Sequence, residues 1–142
     1  MSDTEYSRTD RVYIDESAIE FYRQLKKEGN SEPEQSPFDT FKDLFMFAAC
    51  LGFQNGRRTK PRKGSNGGEV PTKVFTENDL AILKAIAIAD TGDVEVLDRL
   101  GEIYAIAEEY ANTGIHEVKA YVLDEGGRPL WNLVNLLNEN AT

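Results

Sequence analysis

At 142 residues the chain has the size of one domain. With 40% apolar residues, one cysteine and one histidine it can build a hydrophobic core but neither an internal disulfide nor a Cys/His zinc site. The net charge of −9 argues against broad, non-specific nucleic-acid binding, because an acidic surface repels phosphate.

Residues 1–10 are polar and expected to be flexible. The acidic start Met1-Ser2-Asp3-Thr4-Glu5 has neither the basic nor the apolar region of a signal peptide. No apolar run approaches the roughly 20 residues of a membrane span, so a cytoplasmic location is expected. Arg11-Val12-Tyr13-Ile14 alternates and is rich in strand formers. It predicts a short strand with Val12 and Ile14 facing the core and Arg11 and Tyr13 facing outward. Asp15 is a good N-cap, and Ile14 and Ile19 are spaced as a hydrophobic staple. A helix is therefore expected from about Glu16 to Glu28, stopped by Gly29-Asn30.

After a polar turn containing Pro33, Ser36 reads as an N-cap with Pro37 at the first helical position, and the second helix is expected to reach about Phe53. Phe38, Phe41, Leu44, Phe45, Ala48, Ala49 and Leu51 cover more than one of its faces, and Phe47 and Phe53 widen the stripe. A helix this apolar is central or lies at an interface. Phe41, Phe45, Phe47 and Phe53 are therefore the candidates for a partner or homodimer face.

Residues 54–73 carry four glycines, two prolines and six basic groups, which predicts a mobile basic loop within a single domain over residues 11–142. Charge is uneven: the net is −5 over residues 1–55, +5 over 56–74 and −9 over 75–142. Arg57, Arg58, Lys60, Arg62 and Lys63 are the strongest binding candidates, for phosphates or for an acidic partner surface. The competing expectation is a solubilising loop, or one docked on the protein's own acidic faces. The end of the preceding helix also favours cations there. Val70 to Phe75 can add a second short strand.

Thr76 caps a third helix, with Asp79 at N3 and a Phe75–Leu80 staple, running to about Ala89. Asp90-Thr91-Gly92-Asp93 breaks it. A fourth helix is expected from Val94 to about Ala111, an interruption at Asn112-Thr113-Gly114, a fifth from about Ile115 to Leu123, and a last one starting at Pro129. The expected fold is mainly α: a compact helical domain of about six helices with one or two short strands.

No set of residues assembles into an active site, and no catalytic residue, cofactor or metal is expected. His116 lacks a nucleophilic partner at any suggestive spacing, and Cys50 on its apolar helix reads as a buried thiol. The pairs Glu108-Glu109, Asp124-Glu125 and Asp90 with Asp93 read as solvated faces, with no calcium-loop ladder. Lys63 precedes Gly64 and no Gly-Lys-Ser/Thr follows, so the glycine stretch is not a P-loop.

Two resemblances bear on function. The order strand, helix, turn, helix over residues 11–53 resembles a ribbon-helix-helix unit, in which strands paired across a dimer enter the DNA groove. On that alternative the chain is a DNA-binding transcriptional regulator using Arg11 and Tyr13. The stretch Phe38-Asp39-Thr40-Phe41-Lys42-Asp43-Leu44-Phe45-Met46-Phe47-Ala48-Ala49-Cys50-Leu51-Gly52-Phe53, followed by Gly56-Arg57-Arg58, resembles the DNA phosphorothioation-associated protein 4 family of bacterial and archaeal sulfur-modification systems. That resemblance implies a role in anti-phage modification and restriction. Its implied partners are other phosphorothioation-system proteins and DNA. It supplies no catalytic residue to carry over, and the Gly64–Gly68 stretch has no place in the family pattern. The expected role is a non-catalytic accessory protein acting through the apolar second helix and the basic loop.

Overall fold

The computed structural model describes residues 8–28, 32–64 and 66–141. The protein is mainly α, with five α-helices among the described residues and one two-stranded antiparallel ribbon. Strand β1 (Arg11–Ile14) pairs with β2 (Gly68–Pro71) in the register Arg11↔Pro71, Val12↔Val70, Tyr13↔Glu69, Ile14↔Gly68. Val12 and Ile14 are buried and Arg11 and Tyr13 lie on the outer face, as the alternation predicts. The second strand starts two residues before the expected Val70–Phe75 and ends at Pro71, because Thr72–Val74 closes into a 3-10 turn.

Helix α1 (Ile19–Leu25) is shorter than expected at both ends. Asp15 does not cap it: its carboxylate accepts the Ser17 N–H, in an Asx-type turn ahead of the helix. At the other end Phe38 donates its N–H to the Leu25 carbonyl and accepts from Lys27 N–H, so the backbone leaves the helix to pair with residue 38. The expected Gly29-Asn30 stop lies outside the described residues. The same pairing explains why Ser36 is not a cap. Its hydroxyl donates to the Gln24 carbonyl, and α2 (Phe41–Asn55) starts five residues later with Thr40 accepting the Asp43 N–H.

Helix α3 (Glu77–Thr91) opens on the predicted Thr76–Asp79 capping box, and Lys42 reaches the same Asp79 carboxylate at 2.8 Å, tying α2 to α3. A 3-10 turn, Val94–Asp98, replaces the first part of the expected fourth helix. The long helix α4 (Leu100–Val118) then runs straight through Asn112-Thr113-Gly114 and widens into a π-helical turn at Lys119–Leu123. Helix α5 (Pro129–Ala141) starts on the predicted proline.

The expected break at Gly114 fails because that glycine is where α4 meets α2. A Cβ on Gly114 would sit 1.9 Å from the Ala48 carbonyl oxygen, and one on Gly52 would sit 2.0 Å from the Tyr110 carbonyl oxygen. Ala48 and Gly52 on α2 thus face Tyr110 and Gly114 on α4, each pair four residues apart on one helix face. The two backbones come together where Gly52 and Gly114 carry no side chain, each against a backbone carbonyl of the other helix. Around this crossing, Phe53 packs edge-on to Tyr110 and Phe41 to Tyr22.

The wide aromatic stripe of α2 is accordingly a central helix wrapped on several sides. Phe45 is 1% exposed and belongs to the core, which corrects its assignment to an interface. Phe41 and Phe53 are half-buried against the core, and Phe47 is half-buried beside Phe38. Cys50, expected to be buried, is exposed on the face of α2 turned toward α5. His116 is exposed in the last turn of α4, edge-on to the Phe21 ring.

Candidate functional site

Gly56, with φ of 73°, ends α2 in the left-handed conformation that glycine adopts without strain and turns the chain outward. The basic segment that follows is docked as a strap across α4 and β1. Thr59 donates its N–H to the Glu109 carbonyl, and the Asn112 side-chain amide donates back to the Thr59 carbonyl and hydroxyl oxygens. Pro61 is buried. Arg62 gives both its backbone N–H, at 2.6 Å, and its guanidinium, at 2.9 Å, to the Asp15 carboxylate.

The strap cations divide by what they meet. Arg58 lies 3.4 Å from Asp90 and 3.5 Å from Glu109, above the Tyr110 ring. Arg62 pairs with Asp15 and Glu16. Lys63 lies over the Tyr13 ring, 5.5 Å from its centre. Arg57 and Lys60 are exposed. Arg11 is half-buried and pairs with Asp10 and Glu69. Burial alone would push the Asp15 carboxyl up, but the hydrogen bonds from Arg62 and Ser17 together outweigh it. The acid is held well below the usual carboxylate range. Replacing Asp15 with asparagine is therefore expected to release the strap. Limited trypsin digestion followed by mass spectrometry should find cleavage between Arg57 and Lys63 about tenfold faster than in the parent.

Glu108, expected on a solvated face, is only 4% exposed. Its carboxylate takes two hydrogen bonds from Arg8, at 2.9 and 3.1 Å, and one from the Tyr13 N–H at 2.5 Å. The remaining Arg8 nitrogens, Nε and Nη1, are buried without a hydrogen-bond partner, and the guanidinium lies over the Tyr13 ring at 4.6 Å. Tyr13 therefore meets two cations, Arg8 and Lys63. Burial pushes the Glu108 acid above its ordinary range, and the Tyr13 amide, Arg8 and Lys63 offset only part of that. The helical period carried the signal for this burial: Tyr104, Ala105, Ala111 and Ile115, three, four and seven residues away, are all core residues. The expected flexible N-terminus falls mostly on residues 1–7, outside the described residues, while Arg8 itself is docked.

Asp90 is not part of a solvated pair either. It accepts the Tyr110 hydroxyl at 2.5 Å, and burial, with this bond to a carboxylate, leaves the phenol pushed up to about 12. The dimeric ribbon of the DNA-reading alternative does not form here. One edge of β1 pairs with β2 of the same chain, and the Tyr13 N–H on its other edge is taken by Glu108.

The largest exposed side chain lies elsewhere. Trp131 on α5 is 55% exposed, and Leu137 on the same helix 48% exposed, with Val134 between them. Leu137 also lines a groove of about 260 Å³ between α2 and α5, together with Phe47, Cys50 and Leu51. The Trp131 indole donates to Glu34, which also pairs with Arg128, so α5 is anchored at its start while this flank stays uncovered. No helix among the described residues is long and apolar enough to cross a membrane.

Compared with known proteins, residues 11–142 match the family model described as DNA sulphur modification system-associated protein 4. No curated protein and no solved structure matches the chain.

Proposed function

The chain belongs to the family of DNA sulphur modification system-associated protein 4, and on that premise we propose that it is a non-catalytic accessory protein of such a system, an adaptor for its other proteins. On this reading it works in the cytoplasm without a cofactor and serves anti-phage modification and restriction. The observation that carries the adaptor role is the uncovered apolar flank of α5, Trp131, Val134 and Leu137, continuous through Leu137 with the Phe47–Cys50 groove of α2. Exposed apolar surface of this kind marks a place where another protein sits. The commitment of the buried carboxylates, Glu108 and Asp15, to hydrogen bonds that hold the fold together supports the non-catalytic reading.

The partners are proteins encoded with the same sulphur-modification machinery. Tagged chain should co-purify them from a host expressing the complete system. Val134→Asp and Leu137→Asp, each at an exposed position, should lower recovery about tenfold while leaving the melting temperature near that of the parent. Equal recovery from the parent and both variants would sink the reading.

DNA contact is the lesser reading, because Arg58 and Arg62 already face carboxylates. A titration of labelled duplex across salt concentrations measures it. A log–log slope shallower than about −3 is expected, since Arg58 and Arg62, held by carboxylates, displace fewer counterions. A steep slope, abolished by charge reversal at Arg57, Arg58, Arg62 and Lys63, would restore the DNA-binding role.

A further inference from the structure

Partners in an antiparallel ribbon alternate between pairs that exchange both backbone hydrogen bonds and pairs that exchange none. The Tyr13 N–H points away from β2, to Glu108, so Tyr13↔Glu69 is a non-exchanging pair. Arg11↔Pro71, two residues along, is of the same kind, and Pro71 has no N–H to exchange. Glu69 therefore directs its N–H and its C=O to the edge of β2 opposite β1, while the Pro71 C=O, at the N-cap of the Thr72–Val74 turn, is used within that turn. Among the described residues no backbone or side-chain group takes up the Glu69 N–H or C=O.

Beside this edge runs a groove of about 360 Å³ between β2 and the start of α2. Phe41, Val70, Pro71 and Val74 make its apolar walls, with Thr40 and Lys42 on the α2 side. An apolar cleft alone would not say what fills it. Here the unpaired main-chain donor and acceptor specify a strand.

We propose that the outer edge of β2 takes an extended segment of a partner protein, which adds to the ribbon as a third strand. It exchanges two main-chain hydrogen bonds with Glu69 and sets an apolar side chain into the groove walled by Phe41 and Val74. A second copy of β2 does not suit this edge. Its outward positions are Glu69, which would face its own copy as like charges, and Pro71, which lacks the N–H. The occupant is a different chain, extended, free of proline at the pairing positions and apolar at one of them. The site lies apart from the α2–α5 flank and goes beyond the adaptor reading, since it names the conformation of what is bound.

The probe is a random peptide library displayed on phage and selected against the whole chain, with the best binder then made synthetically. Glu69→Pro removes the outward N–H and blocks the edge with a ring, yet costs the ribbon no hydrogen bond, because Glu69 gives none to β1. Val74→Asp charges the groove wall from an exposed position. The expected result is a peptide with alternating apolar residues whose affinity falls about tenfold or more in each variant. On the parent chain, N-methylation of one alternate set of peptide amides should abolish binding while the other set is tolerated, a readout that does not depend on the variants folding. The proposal is overturned by failure to select any such peptide, by equal affinity for the parent and both variants, or by concentration-dependent self-association that Glu69→Pro abolishes. Loss of binding in Leu137→Asp would assign the peptide to the α2–α5 flank, overturning the edge site while leaving the adaptor reading standing.

Discussion

Replacing Gly114 with alanine is expected to lower the melting temperature by about 10 °C or more. Two effects oppose each other. In the middle of a helix, alanine in place of glycine stabilises by about 1 kcal/mol, because less backbone freedom is lost on folding. Against this, the new methyl would lie 1.9 Å from the Ala48 carbonyl oxygen and 2.9 Å from the Gly52 nitrogen. Both neighbours are backbone, so no side-chain rotation relieves the overlap and α2 and α4 must move apart. That places the cost at the upper end of overpacking penalties, about 3–5 kcal/mol. Gly52→Ala meets the Tyr110 carbonyl oxygen at 2.0 Å and should behave alike. Gly126→Ala, which has open space and no positive φ, is the control and should melt close to the parent. Thermal unfolding by circular dichroism decides the matter. Near-parental melting of Gly114→Ala would show that the two helices do not cross at this distance.

Glu108→Ala should be the next most damaging change, at about 2–4 kcal/mol. It leaves the Tyr13 N–H, on a strand edge covered by α4, without an acceptor, and it leaves the Arg8 guanidinium without its counter-charge. Glu108→Gln keeps an acceptor for Tyr13 and should cost about half as much. The acid of Glu108 is raised in the folded protein by burial. Its contribution to stability is therefore fully present below the ordinary glutamate range and declines as pH rises through the raised value. Asp15 has the opposite sign. Its acid is lowered, so its contribution is present above the ordinary aspartate range and is lost as pH falls. Denaturant unfolding across the acid range should thus show the advantage of the parent over Glu108→Gln shrinking as pH rises, and its advantage over Asp15→Asn shrinking as pH falls. A pH-independent gap in both comparisons would remove this electrostatic account.

The two sites differ in how far the sequence revealed them. The strap cations, Arg57 to Lys63, stand out as a charge island between acidic segments, and docking on the protein's own acidic faces was one of the expectations for them. Their partners did not stand out: Asp15 lies 47 residues before Arg62, and Asp90 and Glu109 lie on separate helices. Two adjacent acids usually face water, which makes Glu108 and Glu109 look like a solvated pair. Adjacent positions on a helix differ by about 100°, however, and here Glu108 turns inward to Arg8 and Tyr13 while Glu109, its side chain 12% exposed, turns to Arg58. Arg8, its ion partner, lies in a stretch that composition marked as flexible.

Where a structural signal is local, the chain alone determined the outcome. The β1 alternation, the Thr76–Asp79 capping box, the Pro129 start and the mainly helical class all depend on groups within four residues of one another, and all stand in the structure. The same local rules also offered the Ser36 cap and the break at Gly114, and could not weigh either against distant contacts. Tertiary structure did so: pairing of Phe38 with Leu25 and Lys27 moved the start of α2, and the close approach of α2 turned a helix-breaking glycine into the one residue that fits the crossing. A hydrogen bond or a methyl-sized clash with a distant segment outweighs the roughly 1 kcal/mol differences in local propensity, so those choices became visible only once the distant segments were in place.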